Sequence, residues 1–340
     1  MSTRRVIRVT ELRALGAAIA FLSVARAGSA QAPAVRDTAF VEADGTRLYL
    51  ESRGAAAAPG VVLFLHGGPG AGVEGLLGFE AYTGRLLEQR YVVAYLHQRG
   101  VLRSPKVPIA TQTIATHVAD VDRVVRHLRQ RFPGKKLVVM GHSWGGFLAL
   151  LYASRHPEAK LDGIVLLAAP LSLAHNELAS YDSALAWARR TRTEAAIKEL
   201  TALGPPPYGS MDKMAKHRRW AAEAMPDAGF KPDLARILAA GGYPLADSSI
   251  DQAGQAIGMA MFPALLAGDL RPSIGRVHVP LLAIAGGRDA IVMAGPMMED
   301  LKDYGGPKRT LVFAASDHFL YMEEPDRLAR EVTRFIDGLR

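Results

Sequence analysis

The residues that most narrow what this chain can fold into run from Leu137 to Leu150: Leu-Val-Val-Met-Gly-His-Ser-Trp-Gly-Gly-Phe-Leu-Ala-Leu. Leu137 to Met140 is a short apolar run that reads as a buried strand. A glycine-flanked serine, Ser143, follows at once, and the small and apolar residues after it read as a helix. A Gly-x-Ser-x-Gly pattern carries meaning only in that strand–turn–helix context. The reason is steric. The serine stands in a strained turn with its hydroxyl clear of the sheet, and strand and helix approach so closely that side chains at Gly141 and Gly145 would collide.

The rest of the chain supplies the sheet that such a turn requires. Phe40 to Ala43, Asp44-Gly45 and Thr46 to Glu51 read as a hairpin with a positive-φ turn. Gly54 to Gly60 reads as a small-residue linker. Val61 to Leu65 is continuously apolar, as expected of a strand buried on both faces, and ends in His66-Gly67-Gly68-Pro69-Gly70. Tyr91 to Leu96 is expected as the next strand, and Thr113 to Phe132 as a helix with Val118, Val121, Val124, Val125 and Leu128 on one face. Further strands are expected at Leu161 to Ala168, Pro280 to Ala285 and Thr310 to Ala314, with an amphipathic helix from Pro325 to Leu339. Strands alternating with helices predict an α/β fold with a mainly parallel sheet. The candidate chemical residues fall just after strand ends, where open α/β sheets place their sites. Residues 171–275 break the alternation with helical segments, Gly204-Pro205-Pro206-Pro207 and many Met and aromatic residues. They read as a helical cap inserted between core segments 36–170 and 276–340.

The first thirty residues read separately. Arg4, Arg5, Arg8 and Arg13 precede an apolar run from Ala14 to Ala25, and Gly28-Ser29-Ala30 offers small residues before Gln31. This is the three-part form of a signal peptide over residues 1–30, cleaved near Ala30, and the run is too short to span a bilayer. A periplasmic or secreted location without stable membrane insertion is therefore expected. Residues 1–30 hold five Arg and one Glu, so their removal lowers the formal charge from +8 to about +4. That remainder does not call for nucleic acid, and the four Arg of the Asp120–Phe132 helix read as a solvated face. The chain has no cysteine, which excludes disulfides, thiol nucleophiles and thiolate metal sites.

A serine hydroxyl becomes a useful nucleophile when a base takes its proton, and the base needs a carboxylate to hold its tautomer. In this context the expected chain order is Ser, acid, His. Asp289, after Gly286-Gly287-Arg288, is the expected acid, with Asp317 as rival. Of the ten histidines, His318 follows the last strand and is the expected base. His66, His97 and His142 stand at other strand ends; His66 is read as shaping its loop and His142 as structural. The backbone amides of Gly68 and Trp144 are the expected oxyanion donors. No metal or organic cofactor is implied.

His-Gly-Gly-Pro-Gly at 66–70, Gly-His-Ser-Trp-Gly-Gly at 141–146, Gly-Arg-Asp at 287–289 and His318 together resemble the α/β-hydrolase superfamily, and within it the proline iminopeptidase group of serine peptidases. The resemblance covers 36–170 and 276–340, with Gly-Pro-Pro-Pro-Tyr at 204–208 and Lys-His-Arg-Arg-Trp at 216–220 extending it into the cap. It implies a helical cap over the triad and release of an N-terminal residue from short peptides or amides, or from another small-molecule substrate. It also implies acidic cap residues that bind the substrate's amine. Glu177, Glu194, Glu199 and Glu223 are the candidates, and Glu223, beside Trp220, is preferred. In one departure from the family, the usual Asp-Gln-Arg-Gly-x-Gly-x-Ser is here His97-Gln98-Arg99-Gly100-Val101-Leu102-Arg103-Ser104, in a loop expected to shape the pocket floor. The same machinery could serve an esterase or lactonase with an all-apolar pocket, or the scaffold a binding protein. A dehalogenase or epoxide hydrolase would want an aspartate in place of Ser143.

Overall fold

The computed structural model describes residues 34–208, 210–225, 230–244 and 252–339. The segment read as a signal peptide, residues 1–30, lies outside the described residues. Those that are described fall in one compact unit, Ala32–Arg340.

Eight strands form a single sheet: β1 (Ala34–Ala43), β2 (Thr46–Ala55), β3 (Gly60–Leu65), β4 (Val92–Leu96), β5 (Lys136–His142), β6 (Gly163–Leu167), β7 (Leu281–Gly286) and β8 (Lys308–Phe313). Their spatial order is β1-β2-β4-β3-β5-β6-β7-β8. β1 and β2 pair antiparallel through the Asp44-Gly45 turn, with Gly45 at φ 69°. β2 meets β4 antiparallel, and every pairing beyond is parallel. The hairpin is longer than the sequence predicts. β2 runs on through part of the expected linker because the Gly54 backbone lies against the Tyr91 carbonyl, where a Cβ would overlap.

Helices α1 (Arg85–Leu87), α2 (Ile114–Arg131), α3 (Trp144–Arg155), α9 (Ala294–Asp300), α10 (Leu320–Glu323) and α11 (Pro325–Asp337) belong to the core. Thr113 caps α2: its hydroxyl accepts from the Thr116 amide, which fixes the start where the sequence places it. Residues 72–87 are also helical, including wide turns over Gly72–Leu77 and Glu80–Gly84, without counterpart among the expected elements. The central strands are buried throughout, so the two faces of the sheet carry two apolar clusters, one under α2 and α3 and the other under α10 and α11.

Between β6 and β7 lie α4 (Leu173–Thr191), α5 (Glu194–Leu203), α6 (Met211–Ala224), α7 (Leu234–Gly241) and α8 (Gln252–Ala267). Around Tyr181, Ala184, Leu200 and Trp220, the helices α4, α5 and α6 form a small apolar cluster of their own. The insertion closes where its ends meet, Leu270 N–H donating to the Leu171 carbonyl at 2.9 Å beside a bridge from Ser172 to Asp269.

Candidate active site

Ser143 sits between β5 and α3 with φ 52° and ψ −121°, a conformation that costs a side-chain-bearing residue of order 1–3 kcal/mol. The surroundings impose it. A Cβ on Gly141 would overlap the Gly145 carbonyl, and one on Gly145 would overlap the Leu65 carbonyl of β3. Ser143 N–H donates to Leu167 O at 2.9 Å, and the Ser143 carbonyl accepts from the Gly146 and Phe147 amides. The serine is thereby fixed while its side chain faces a pocket.

Asp289 and His318, both buried, meet at the ends of β7 and β8, with His318 Nδ1 2.8 Å from Asp289 Oδ2. The other carboxylate oxygen of Asp289 accepts from the Ile291 and Val292 amides, each at 2.8 Å. This leaves the carboxylate no rotational freedom, and it selects the tautomer with the proton on Nδ1 and a bare Nε2. His142, beside the serine, pairs its Nε2 with the His318 carbonyl at 2.9 Å. It ties the histidine-bearing loop to the serine turn, in keeping with a structural role. Asp317, the rival acid, accepts from the Phe319 amide at its own turn and offers its N–H to Glu323.

Gly68 and Trp144 line the same pocket as Ser143. Trp144 opens α3, so its amide has no acceptor within the helix. Gly68 has φ 115°, and a Cβ there would overlap the Gly70 amide; only glycine lets the loop curl this tightly. His66 Nδ1 pairs with Gly67 O at 2.9 Å, and burial pushes its pKa down to about 4, so the ring is a neutral brace for this loop.

The loop from His97 to Ser104 contributes no residue to the pocket lining, contrary to the expected role in its floor. It acts behind the site. Gln98 Nε2 donates to His66 O at 2.8 Å while its Oε1 accepts from Trp144 Nε1 at 3.0 Å, joining the 66–70 loop to the serine turn. Arg99, fully buried, forms a two-point pair with Asp120 of α2 at 2.9 and 2.6 Å. His97 stands where the family has aspartate; its Nδ1 accepts from the Arg103 amide at 3.2 Å, and burial lowers its pKa to about 3. Leu102, where the family has glycine, keeps a left-handed φ of 50° and packs against both apolar clusters.

The pocket is about 390 Å³ and lined largely by apolar groups, among them Phe147, Leu173, Phe262, Leu265, Ile291 and Val292. Its charged lining is Glu74 and Arg218. Glu223 is exposed on α6 and absent from the lining, because α6 turns Met214, His217 and Trp220 inward and leaves Glu223 outside. Glu199 pairs with Arg219 and Trp220 Nε1, Glu194 is exposed at the start of α5, and Glu177 is buried against Arg218. The pocket's acidic side chain therefore comes from the core.

Asn176 of α4 carries a role that no motif signals. Its amide donates to Ile291 O at 2.8 Å and accepts from Met293 N–H at 2.9 Å. It pins from the cap the turn whose amides hold Asp289.

A strained serine and a glycine-rich loop line one pocket over a parallel sheet, and a histidine paired with a carboxylate stands at the ends of β7 and β8. Residues 60–325 match the model of the alpha/beta hydrolase fold family, and the chain belongs to that family. It is 37% identical over 106 residues to the proline iminopeptidase of Neisseria gonorrhoeae, 31% of each chain. Likewise it is 34% identical over 100 residues to the probable aminopeptidase YbaC of Bacillus subtilis (strain 168), covering 29% of this chain and 30% of that one. The match thus spans about a third of these relatives' length. Among solved structures, a proline iminopeptidase-related protein from Thermus thermophilus superposes with a TM-score of 0.63 at 21% identity, over 90% of this chain and 98% of that one. An esterase from Exiguobacterium antarcticum gives 0.62 at 20%, over 89% and 100%. The chain is an α/β hydrolase, and the third of it that matches curated relatives is similar to proline iminopeptidases.

Proposed function

We propose that the protein is a serine hydrolase that works through an acyl-enzyme, and that it acts as an aminopeptidase of proline iminopeptidase type on short peptides or amides. The observation that carries this reading is the 2.8 Å pairing of His318 Nδ1 with an Asp289 carboxylate already held by two amides. In this mechanism Ser143 Oγ attacks the scissile carbonyl carbon and His318 Nε2 takes its proton. The Gly68 and Trp144 amides receive the oxyanion. His318 then protonates the leaving amine as the C–N bond breaks, leaving an ester on Ser143. Water attacks that ester with His318 as base, releasing the carboxylic acid and restoring the hydroxyl. Asp289 stays ionised throughout and steadies the imidazolium. Glu74 is the candidate for the substrate's amine, in place of Glu223. Export behind a cleaved segment at 1–30 is part of the proposal, and an exported protein starting near Gln31 by N-terminal sequencing is its expected sign; an intact Met1 would refute cleavage.

The apolar wall of the pocket favours a second reading, an esterase with the same machinery. Hydrolysis of prolyl-β-naphthylamide and a short p-nitrophenyl ester by wild type and Ser143→Ala separates the two. Ser143→Ala is expected to lower kcat by roughly 10⁴-fold or more on the true substrate class. Amide turnover that needs a free amine supports the aminopeptidase, and ester turnover alone leaves only the esterase. Turnover undiminished in Ser143→Ala would overturn both.

A further inference from the structure

Arg218 reaches the pocket from α6 by a fixed path. Its neighbour His217 is fully buried between the rings of Tyr181 and Tyr208, which sets the rotation of α6 and brings the next side chain out at the pocket. There Arg218 meets Glu177 of α4, a carboxylate only 1% exposed. Glu177 Oε1 accepts from Nη2 at 2.5 Å and Oε2 from Nε at 3.4 Å, and Oε2 lies 3.5 Å from His217 Nδ1. Glu177 so occupies one edge of the guanidinium. A guanidinium has five N–H donors in a rigid fork, and Nη1 has no protein acceptor among the described residues. The Arg218 side chain keeps 33% of its surface exposed.

Arg219, the next residue, shows what an ordinary pairing looks like here: it is 54% exposed and meets Glu199 on the surface. Arg218 differs because its partner is buried. Moving Arg218 away would strand the charge of the buried Glu177 carboxylate, which holds Arg218 against it. A guanidinium held this way binds a second carboxylate without first losing rotamer freedom, beside walls that are mostly apolar.

We infer that Arg218 is a carboxylate-reading position of this pocket, and that the substrates of the site carry an ionised carboxylate near the scissile bond. This rests on the serine hydrolase reading above and names the substrate class within it. Glu74, the other charged group in the lining, suits a cationic end. A short peptide with both ends ionised presents the two charges that the pocket displays.

Two matched ester pairs test the inference, each differing by one carboxylate. Mono-4-nitrophenyl glutarate against 4-nitrophenyl valerate places it on the acyl side, and 4-acetoxybenzoate against 4-acetoxybenzamide places it on the leaving group. The quantity read is the ratio of kcat/KM values within each pair. In at least one pair wild type is expected to favour the carboxylate tenfold or more, the preference weakening with added salt. In Arg218→Met that ratio is expected to fall within threefold of unity. Should Arg218→Met fail to fold with Glu177 stranded, the double variant Glu177→Gln, Arg218→Met removes both charges together and gives the same readout. Wild-type ratios near unity in both pairs, or a ratio that survives in the variants, overturn the inference. Fluorophosphonate labelling of Ser143 separates the two levels. Labelling without a carboxylate preference rejects the role of Arg218 and leaves the serine hydrolase; no Ser143-dependent labelling rejects both.

Discussion

Asp289 lies at the end of a chain of restraints that begins outside the core. Its Oδ1 is held by the Ile291 and Val292 amides, and the turn bearing those amides is held by Asn176 from the first cap helix. Asn176 is a positioning residue, and its loss should weaken chemistry more than binding. Asn176→Ala is expected to lower kcat about tenfold while KM stays within about threefold, because loosened orientation raises the barrier without removing a substrate contact. Asn176→Asp keeps an acceptor for the Met293 amide, loses the donor to Ile291 O, and should fall between. A KM rise with kcat intact would reassign Asn176 to the substrate. At this scale the placement of Ser143, Asp289 and His318 after strands β5, β7 and β8 was legible in the sequence, because an apolar run followed by glycines and a polar residue marks a strand end. Asn176 was not legible, since a single amide within a helix has no pattern, and its partners are more than a hundred residues away.

Among the elements, α8 meets the core through glycine backbone. A Cβ on Gly254 would overlap the Gly70 carbonyl, and a Cβ on Gly70 would overlap the Gly254 backbone; Gly258 faces Pro69 one turn on. The cap helix thus rests backbone to backbone on the loop that carries Gly68. Gly254→Ala is expected to lift α8 and disturb that loop, reducing kcat/KM tenfold or more with the far-ultraviolet circular dichroism unchanged. Unaltered kinetics would mean that α8 adjusts without moving the loop. The central strands were foreseeable from apolar runs because both of their faces are buried, and α2 and α11 from helical spacing because each buries one face. The preference for Glu223 failed at this same scale. A helix with Met214, His217 and Trp220 turned inward points Glu223 to solvent, and which face of a cap helix meets the pocket depends on what packs behind it.

Across the whole molecule, burial of ionisable groups on both sides of neutrality sets the response to pH. Burial lowers the pKa of His66 to about 4, of His97 and His117 to about 3, and of His142 well below its usual value. Unfolding raises these values again, so the unfolded chain binds more protons below about pH 6.5 and stability is lost as pH falls from there. Burial raises Glu80 to about 7 and Glu323, beside Asp317, to about 8. The folded state holds those protons and the unfolded state releases them, so this contribution is lost as pH rises through 7 and 8. Stability should therefore peak near pH 6.5. Denaturant unfolding across pH 4 to 9 checks it: His97→Asn should reduce the acid-side slope by about one proton, near 1.4 kcal/mol per pH unit, and Glu323→Gln should flatten the alkaline side. A flat profile in wild type would contradict both assignments.

The sequence by itself determined the parallel α/β sheet, the serine turn, and the residues placed at its strand ends. These follow from short-range physics: apolar runs that must be buried, and glycines where two backbones touch. The tertiary structure alone decided which acid and which base share the pocket, with Glu74 from the core and Arg218 from the cap, how Asn176 steadies Asp289, and that the 97–104 loop braces the site from behind. Those outcomes depend on how amphipathic helices rotate against one another, a choice settled by packing over the entire core that no local stretch of sequence encodes.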